Sequence, residues 1–172
     1  MPHLLPCDFT FYFSKRTNQS DNYGELLKQL TTVDTVEMFH EVYQYLKRPS
    51  DFTMESNLFL FRCAKDRPIK PEWEDEYNSA GGRLIFRVGK NYGDYLWETL
   101  LFETVSGNIF AYAPNVTGIA ISCRTHEIVL SIWCATSEDT YIDALKTNLR
   151  QVLSLPEETS FRYQKHNVSK RF

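Results

Sequence analysis

A tryptophan and a run of acids stand together in one short segment near the middle of the chain. The segment 65–76 (KDRPIKPEWEDE) carries two prolines and alternating charges, which is typical of a loop. Within it, Trp73 is followed directly by Glu74. An indole can stack on another flat ring, and a carboxylate accepts hydrogen bonds from N–H groups. The pattern alone leaves two alternatives open: a binding site, or a tryptophan packed against its own domain beside solvated acids.

A predicted β-hairpin, 116–124 and 127–135, supplies a second group of candidate residues. A turn at 125–126 places large apolar residues opposite each other, in the pairs Cys123–Ile128, Ile121–Leu130 and Ile119–Ile132. The other face consists mostly of small residues, together with Arg124 and Trp133. Such a face either leaves room for a ligand or is a solvated surface with one tryptophan. The same register places Cys134 opposite Thr117, so a Cys123–Cys134 disulfide is not expected.

The size and charge of the chain limit its function classes. Its 172 residues, 42% of them apolar and 24% charged, are enough for one domain with a substantial core. The formal net charge is −3, whereas a protein that grips a long duplex by its phosphates is basic. Any contact with nucleic acid is therefore expected to be local, with a base in a pocket and few phosphate contacts.

Several other classes are excluded by what the sequence lacks. It has no run of about 18 apolar residues, and its first residues do not have the pattern of a secretory signal, so we expect no membrane attachment and no secretion. Its cysteines do not have zinc-ligand spacing and are predicted to be buried or half-buried thiols in a reducing cytosol: Cys7, Cys63, Cys123 and Cys134.

Catalytic motifs are also missing from the sequence. It contains no P-loop, no dinucleotide-binding fingerprint, no Ser/His/Asp order and no metal-ligand cluster. The adjacent acids Asp75 and Glu76 are weak evidence for a metal site. We therefore expect a protein that is not an enzyme and that uses no cofactor and no metal.

The elements that must position these residues can be assigned from local patterns. Asp34 and Glu37 resemble a capping box for a helix that runs to about Lys47. Two further helices are predicted, one capped by Asp94 and ending near Gly107, and one over 139–153. The remaining predicted strands are 9–13, 58–62 and 83–88. The fold class is α+β: a single domain over 1–172 with a curved, mostly antiparallel sheet and three helices on its convex face.

Several motifs in order resemble the cap-binding translation initiation factor 4E family. They are PEWEDE at 71–76, GGR at 81–83 and WETLL at 97–101, preceded by DTVE at 34–37 and followed by Arg124 nine residues before Trp133. The likeness covers nearly the whole chain, and P-x-W-E-D followed by G-G-R is its most specific part.

The resemblance implies a ligand and the residues that bind its base. The ligand is 7-methylguanosine joined by a triphosphate to RNA, and its cationic ring gains cation–π attraction as well as stacking between two aromatic rings. Trp73 matches one of these rings and Tyr23 the other, where commoner members carry Trp. Glu74 matches the acid that accepts hydrogen bonds from the guanine edge, and Trp133 is predicted to touch the N7 methyl group.

The triphosphate needs positively charged donors. Arg124 matches an arginine that contacts phosphate in the family. Two positions that usually carry lysine are His126 and Val129 here, so other residues are expected to substitute: Arg83, His126, or Lys165 and His166 in the basic tail over 160–172.

The resemblance also implies a protein partner on the helical side. Family members bind scaffold and repressor proteins there through a Tyr-x-x-x-x-Leu helix. The N-terminal segment 1–8 belongs to this surface, and the matching residues are His3, Leu4, Leu5, Val36, His40, Leu96, Glu98 and Leu101. His40 stands where commoner members have Trp, which either changes the choice of partner or is neutral on an exposed helix.

Four functions remain to be compared at this point. The first is a cytoplasmic cap-binding factor, with the nucleus as a second compartment, that recruits a 4G-type scaffold or binds a 4E-binding protein. The second is a divergent cap binder that represses translation or serves particular transcripts. A nucleotide-modifying enzyme lacks catalytic motifs, and a general single-strand RNA binder would need more basic residues along a groove.

Overall fold

The chain is built around one antiparallel sheet. A computed structural model describes residues 1–15 and 26–166. Its strands are β1 (Leu4–Lys15), β2 (Lys28–Thr35), β3 (Ser56–Arg62), β4 (Gly82–Gly89), β5 (Val116–Cys123), β6 (Glu127–Cys134) and β7 (Phe161–Lys165). They lie in the order β2-β1-β3-β5-β6-β4-β7, and each neighbouring pair is antiparallel. The predicted fold class, a single α+β domain with a curved antiparallel sheet, is confirmed.

The helices are α1 (Val36–Tyr45), α2 (Glu76–Ser79), α3 (Lys90–Val105), α4 (Asn108–Tyr112) and α5 (Asp139–Val152), with a 3-10 turn at Pro49–Asp51. All of them except α2 pack on one face of the sheet, whereas Tyr77 of α2 packs against the smaller apolar cluster on the other face. The three long helices α1, α3 and α5 share one hydrophobic core with the sheet, through residues such as Phe39, Leu100 and Leu145. Among the described residues, no helix is long and apolar enough to span a membrane.

The hairpin β5–β6 has the predicted register over most of its length. Cys123 pairs with Ile128, Ile121 with Leu130 and Ile119 with Ile132, and all six side chains lie in the helix-covered core. The prediction for its open end was wrong. Val116, not Thr117, pairs with Cys134, because a register shift between Val116 and Gly118 leaves Thr117 without a ladder partner.

Two predicted helix caps were also wrong. Strand pairing of Leu4 with Thr35 keeps the chain extended through Asp34, so Thr35 is the N-cap of α1 and its side chain accepts a hydrogen bond from Met38 N. Helix α3 begins at Lys90, four residues before Asp94. Asp94 instead accepts hydrogen bonds from the backbone N and the hydroxyl of Ser50, at 2.8 and 2.7 Å.

Two strands were not predicted. Strand β2 (KQLTTVDT) is polar because it is an edge strand, and Val33 is its one fully buried residue. Strand β7 lies inside the segment predicted as a basic tail and pairs with β4 at the other edge of the sheet. The described part of that tail is therefore a structural element that carries Lys165 to the sheet.

Candidate ligand-binding cavity

A cavity of about 390 Å³ lies on the sheet face away from the three long helices. Its floor is the small-residue face of the hairpin, including Ala120, Ser122 and Ser131, and Trp133 lies beside them. Trp73 contributes to the rim. The hairpin face thus borders a cavity, which favours a binding site over the alternative of a flat solvated face.

Trp133 is held rigidly in this floor. Its side chain is 5% exposed and packs edge-on against Phe61, with ring centroids 5.4 Å apart. Phe61 lies directly over Gly118, where a Cβ atom would be 2.4 Å from the Phe61 ring. The guanidinium of Arg83 lies 5.7 Å from the Trp133 ring centroid, within cation–π range. Trp133 therefore offers little surface, but in a fixed position.

Trp73 is presented by a loop that Asp75 anchors. Trp73 is 42% exposed, whereas the Asp75 side chain is almost completely buried. The Asp75 carboxylate accepts hydrogen bonds from both terminal nitrogens of Arg67, at 2.7 and 3.2 Å, and from the backbone N of Lys70 and Tyr77, both at 3.0 Å. Burial alone would raise the pKa of Asp75, but these donors outweigh it and hold the pKa below its ordinary value.

The contacts of Asp75 and Glu76 argue against a metal site at these two adjacent acids. The oxygens of Asp75 are taken up by four N–H groups, and Glu76 points to Arg67 at 3.0 Å. Over residues 1–15 and 26–166, no group of three or more potential metal-binding side chains occurs. The two acids are part of the loop anchor.

Asn78 joins the loop to the sheet, and sequence reasoning missed it. It is fully buried, and its amide nitrogen donates to the carbonyls of Lys70 and Glu72, at 2.8 and 2.9 Å. Its side-chain oxygen accepts a 2.7 Å hydrogen bond from the Thr117 hydroxyl. Its main-chain oxygen lies 3.0 Å from His166 Nδ1. A lone asparagine after an acidic run gave no signal of this role.

His166, a predicted phosphate-binding residue, lines the cavity and is partly buried. Burial lowers its pKa, and Arg83 lowers it further, while the Asn78 carbonyl and the Glu74 charge oppose the shift. These causes together favour the neutral imidazole. Nδ1 must donate to the Asn78 carbonyl, so Nε2 of the neutral ring carries no proton, and Nε2 has no partner among the described residues. A contact between Nε2 and a phosphate therefore requires the protonated imidazole.

The other predicted phosphate-binding residues fall into two places. Arg83, Arg124 and Lys165 line the cavity. The Nε and Nη2 atoms of Arg83 donate to Gln164 Oε1 at 3.2 and 3.0 Å, and Arg124 Nη1 lies 3.5 Å from Glu55 Oε2. His126 lies outside the cavity, in a neighbouring groove.

Glu74 and Tyr23 are the two remaining residues that were predicted to bind the base. Glu74 is exposed beside Trp73 but does not line the cavity, whereas Glu72 does. Tyr23 lies outside the described residues, and its role stays a prediction. Ser14 and Leu26, in the described segments on either side of it, both line the cavity.

The predicted partner surface divides into exposed and buried residues. On the outside lie His3, Leu4, Val36, His40 and Glu98, with Leu5 half-buried. Main-chain N of His3 donates to the Glu37 carboxylate at 3.0 Å, and the Tyr43 hydroxyl donates to Glu98. Leu96 and Leu101, in contrast, are 5% and 0% exposed and belong to the core. These two residues were assigned to the partner surface by the family resemblance, and their burial leaves them little surface for a partner.

Comparisons with known proteins agree with this geometry. The family model "Eukaryotic initiation factor 4E" matches residues 4–172. Among curated relatives, eukaryotic translation initiation factor 4E-4 of Caenorhabditis elegans is 30% identical over 96% of this chain and 77% of its own length. The initiation factor NCBP of Triticum aestivum is 31% identical over 98% of this chain and 72% of its own length.

Solved structures show the same fold. The complex of Ascaris suum eIF4E-3 with an m2,2,7G cap is similar with a TM-score of 0.86 and 28% identity, over 100% of this chain and 96% of the other. The complex of C. elegans eIF4E-3 with the 4E-binding protein Mextli and a cap analog gives a TM-score of 0.87 and 26% identity, over 96% and 94% of the two chains. With a family model that matches nearly its whole length, the chain belongs to the eukaryotic initiation factor 4E family.

Proposed function

We propose that this protein binds the 7-methylguanosine 5′ cap of mRNA in the cavity between Trp73 and Trp133 and recruits a translation initiation scaffold in the cytoplasm. The observation that carries the proposal is an exposed tryptophan at the rim of a cavity that arginines also line. Relatives of the same fold were solved with m7G and m2,2,7G caps. Members of this family are binding factors, so the proposed activity is binding and not catalysis.

The base is recognised by stacking and by its edge. The N7-methylated guanine is a cation, so it is attracted to the electron-rich face of Trp73 in addition to stacking on it. Tyr23 is the proposed second ring, and Glu74 the proposed acceptor for the guanine N1–H and N2–H groups, a pair of donors that adenine does not have. Trp133, which is buried in the floor, is the proposed contact for the methyl group.

The triphosphate is proposed to bind the cationic end of the cavity. Arg83 and Arg124 offer planar guanidinium forks that suit phosphate oxygens, and Lys165 adds a point charge. The carboxylate of Glu55 near Arg124 competes with phosphate for that arginine. The helical face, with His3, Val36 and His40 exposed, is the proposed site for a Tyr-x-x-x-x-Leu helix. No contact among the described residues favours the repressor alternative over recruitment.

A fluorescence titration tests the proposal. The fluorescence of the exposed Trp73 should be quenched by low concentrations of 7-methyl-GTP and only by much higher concentrations of GTP. Equal responses to the two nucleotides would contradict cap binding. Glu74→Ala should abolish the preference for the methylated base, whereas the matched variant Glu72→Ala should keep it. If only Glu72→Ala loses the preference, the acid at the cavity lining is the one that reads the guanine edge.

A further inference from the structure

A second groove continues from the cavity along the same face of the sheet. It has a volume of about 770 Å³ and contains neither Trp73 nor Trp133. The two sites share a border of six residues: Glu55, Arg83, Ser122, Arg124, Ser131 and Gln164. The order along the surface is therefore aromatic rings, then shared arginines, then the second groove.

Two arginines line this groove but do not line the cavity. Arg87 and Arg162 both line the groove and are exposed. Side chains at 83, 85 and 87 of β4 share a face, so Arg87 lies about 13–14 Å along the strand from Arg83. In the ladders, Arg87 pairs with Val129 of β6, and Arg162 of β7 pairs with Ile85. The cationic surface thus extends well beyond the cavity.

The charge of the groove is unusual for this chain. Four arginines line it against two glutamates, whereas the whole protein carries a formal net charge of −3. The two glutamates are each paired with an arginine: Glu127 with Arg87, and Glu55 with Arg124 at 3.5 Å. Both carboxylates therefore compete with any anion that binds these arginines.

We propose that the second groove binds the backbone of the first nucleotides after the cap, with Arg87 and Arg162 contacting phosphates and Glu127 weakening that contact. The inference depends on the proposed cap binding. The sequence of groups on the surface matches that of capped RNA, in which base, triphosphate and nucleotide chain follow one another. Single-stranded RNA is favoured over a duplex because the chain is acidic overall, with a formal net charge of −3.

Two variants of one ion pair provide the test. The full chain is titrated with 7-methyl-GTP and with an unstructured capped pentanucleotide. Arg87→Gln should weaken binding of the pentanucleotide about fourfold at 0.15 M salt and reduce its salt slope by about 0.7, the value for one phosphate contact with a single strand. Glu127→Gln should strengthen binding of the pentanucleotide. Neither variant should change 7-methyl-GTP affinity by more than about twofold, because screening limits the effect beyond roughly 8 Å.

The outcomes separate the two proposals. Lys47→Gln, which removes an exposed positive charge on the helical side, is the charge-matched control and should change neither affinity. Structural damage from breaking the ion pair would change the pentanucleotide affinity of both variants in the same direction, so a change in the same direction overturns the inference. An unchanged pentanucleotide affinity in Arg87→Gln also overturns it. If the unaltered protein fails to select 7-methyl-GTP over GTP, the proposed function itself fails and the inference with it.

Discussion

The hydroxyl of Thr117 donates a 2.7 Å hydrogen bond to the side-chain oxygen of Asn78, and both residues are buried. This bond connects β5 to the residue that also holds the Lys70 and Glu72 carbonyls. Thr117 lies at the register shift between Val116 and Gly118, at the open end of the hairpin. The Trp73 loop is thus tied to the sheet at an irregular position of β5.

Removing this hydroxyl should weaken both stability and cap affinity. Thr117→Val keeps the side-chain shape but leaves the Asn78 oxygen buried without its donor, which costs about 1–3 kcal/mol in the free energy of unfolding. Urea unfolding and a 7-methyl-GTP titration measure the two effects. The control is Thr31→Val on strand β2, where the hydroxyl makes one long contact among the described residues, 3.5 Å to Thr32 O. An equal effect of both variants would show that the Asn78 bond is not the cause.

Gly118 should not tolerate a methyl group. Gly118→Ala places a Cβ atom 2.4 Å from the Phe61 ring, which must then move against Trp133. Such overpacking costs about 1–3 kcal/mol in unfolding free energy. The matched variant Gly89→Ala meets its nearest atom, in Tyr92, at 3.9 Å and loses only the preference for glycine at the N-cap of α3, so it should cost no more than about 1 kcal/mol. Thermal unfolding measures the stability of both variants. Equal melting temperatures would show that the contact with Phe61 does not limit the residue at position 118.

The anchor at Asp75 should be sensitive to charge and to pH. Asp75→Asn breaks a hydrogen-bonded pair whose carboxylate is buried, with an expected cost of about 1–3 kcal/mol. Glu76→Gln removes a second carboxylate from the same Arg67, but this one is exposed, so the expected cost is under about 1 kcal/mol.

The pH dependence of this difference has a defined sign. The pKa of Asp75 is lower in the folded protein than its ordinary value of 3.8, so the unfolded chain takes up a proton first as the pH falls. The stability that Asp75 contributes is therefore complete above about pH 5 and is lost as the pH falls through the folded pKa. Urea unfolding of the parent and Asp75→Asn at pH 7 and pH 3 should show the difference shrinking; a constant difference would mean that the charge is not responsible.

The helical face offers a gain-of-binding prediction. His40 is exposed on α1 and contacts Gln44 at 3.0 Å. His40→Trp adds apolar area at the proposed partner surface and should tighten binding of a Tyr-x-x-x-x-Leu peptide by roughly 1–2 kcal/mol, about 5- to 30-fold. Calorimetry with the peptide measures this change. Glu41→Trp on the next exposed position is the control, and an equal gain in both variants would indicate non-specific stickiness.

Some features of the fold and the site could be predicted from the sequence because they rest on local pattern. The alternation of apolar and small residues in the hairpin determined which face is buried, and the motif around Trp73 located the cavity rim. The register shift at Thr117 could not be predicted, because a one-residue irregularity leaves no compositional trace. Strand β2 was missed since an edge strand buries little and so lacks apolar alternation.

The roles of Asn78, His166 and Leu101 depend on tertiary contacts. Asn78 acts through carbonyls six and eight residues earlier in the chain and a hydroxyl 39 residues later. The pKa of His166 is lowered because the fold buries its imidazole. Leu101 matched the motif of a partner surface, but helical spacing does not distinguish a residue that faces the core from one beside it.

The most direct measurement is calorimetric binding of 7-methyl-GTP and GTP to Trp73→Ala. Because Trp73 is exposed and its loop is held by Asp75 and Asn78, the variant should remain folded with an unchanged melting temperature. We predict that Trp73→Ala loses most of its affinity for 7-methyl-GTP and no longer prefers 7-methyl-GTP to GTP. A folded Trp73→Ala protein that still binds 7-methyl-GTP tightly and selectively would contradict stacking of the cap on this ring.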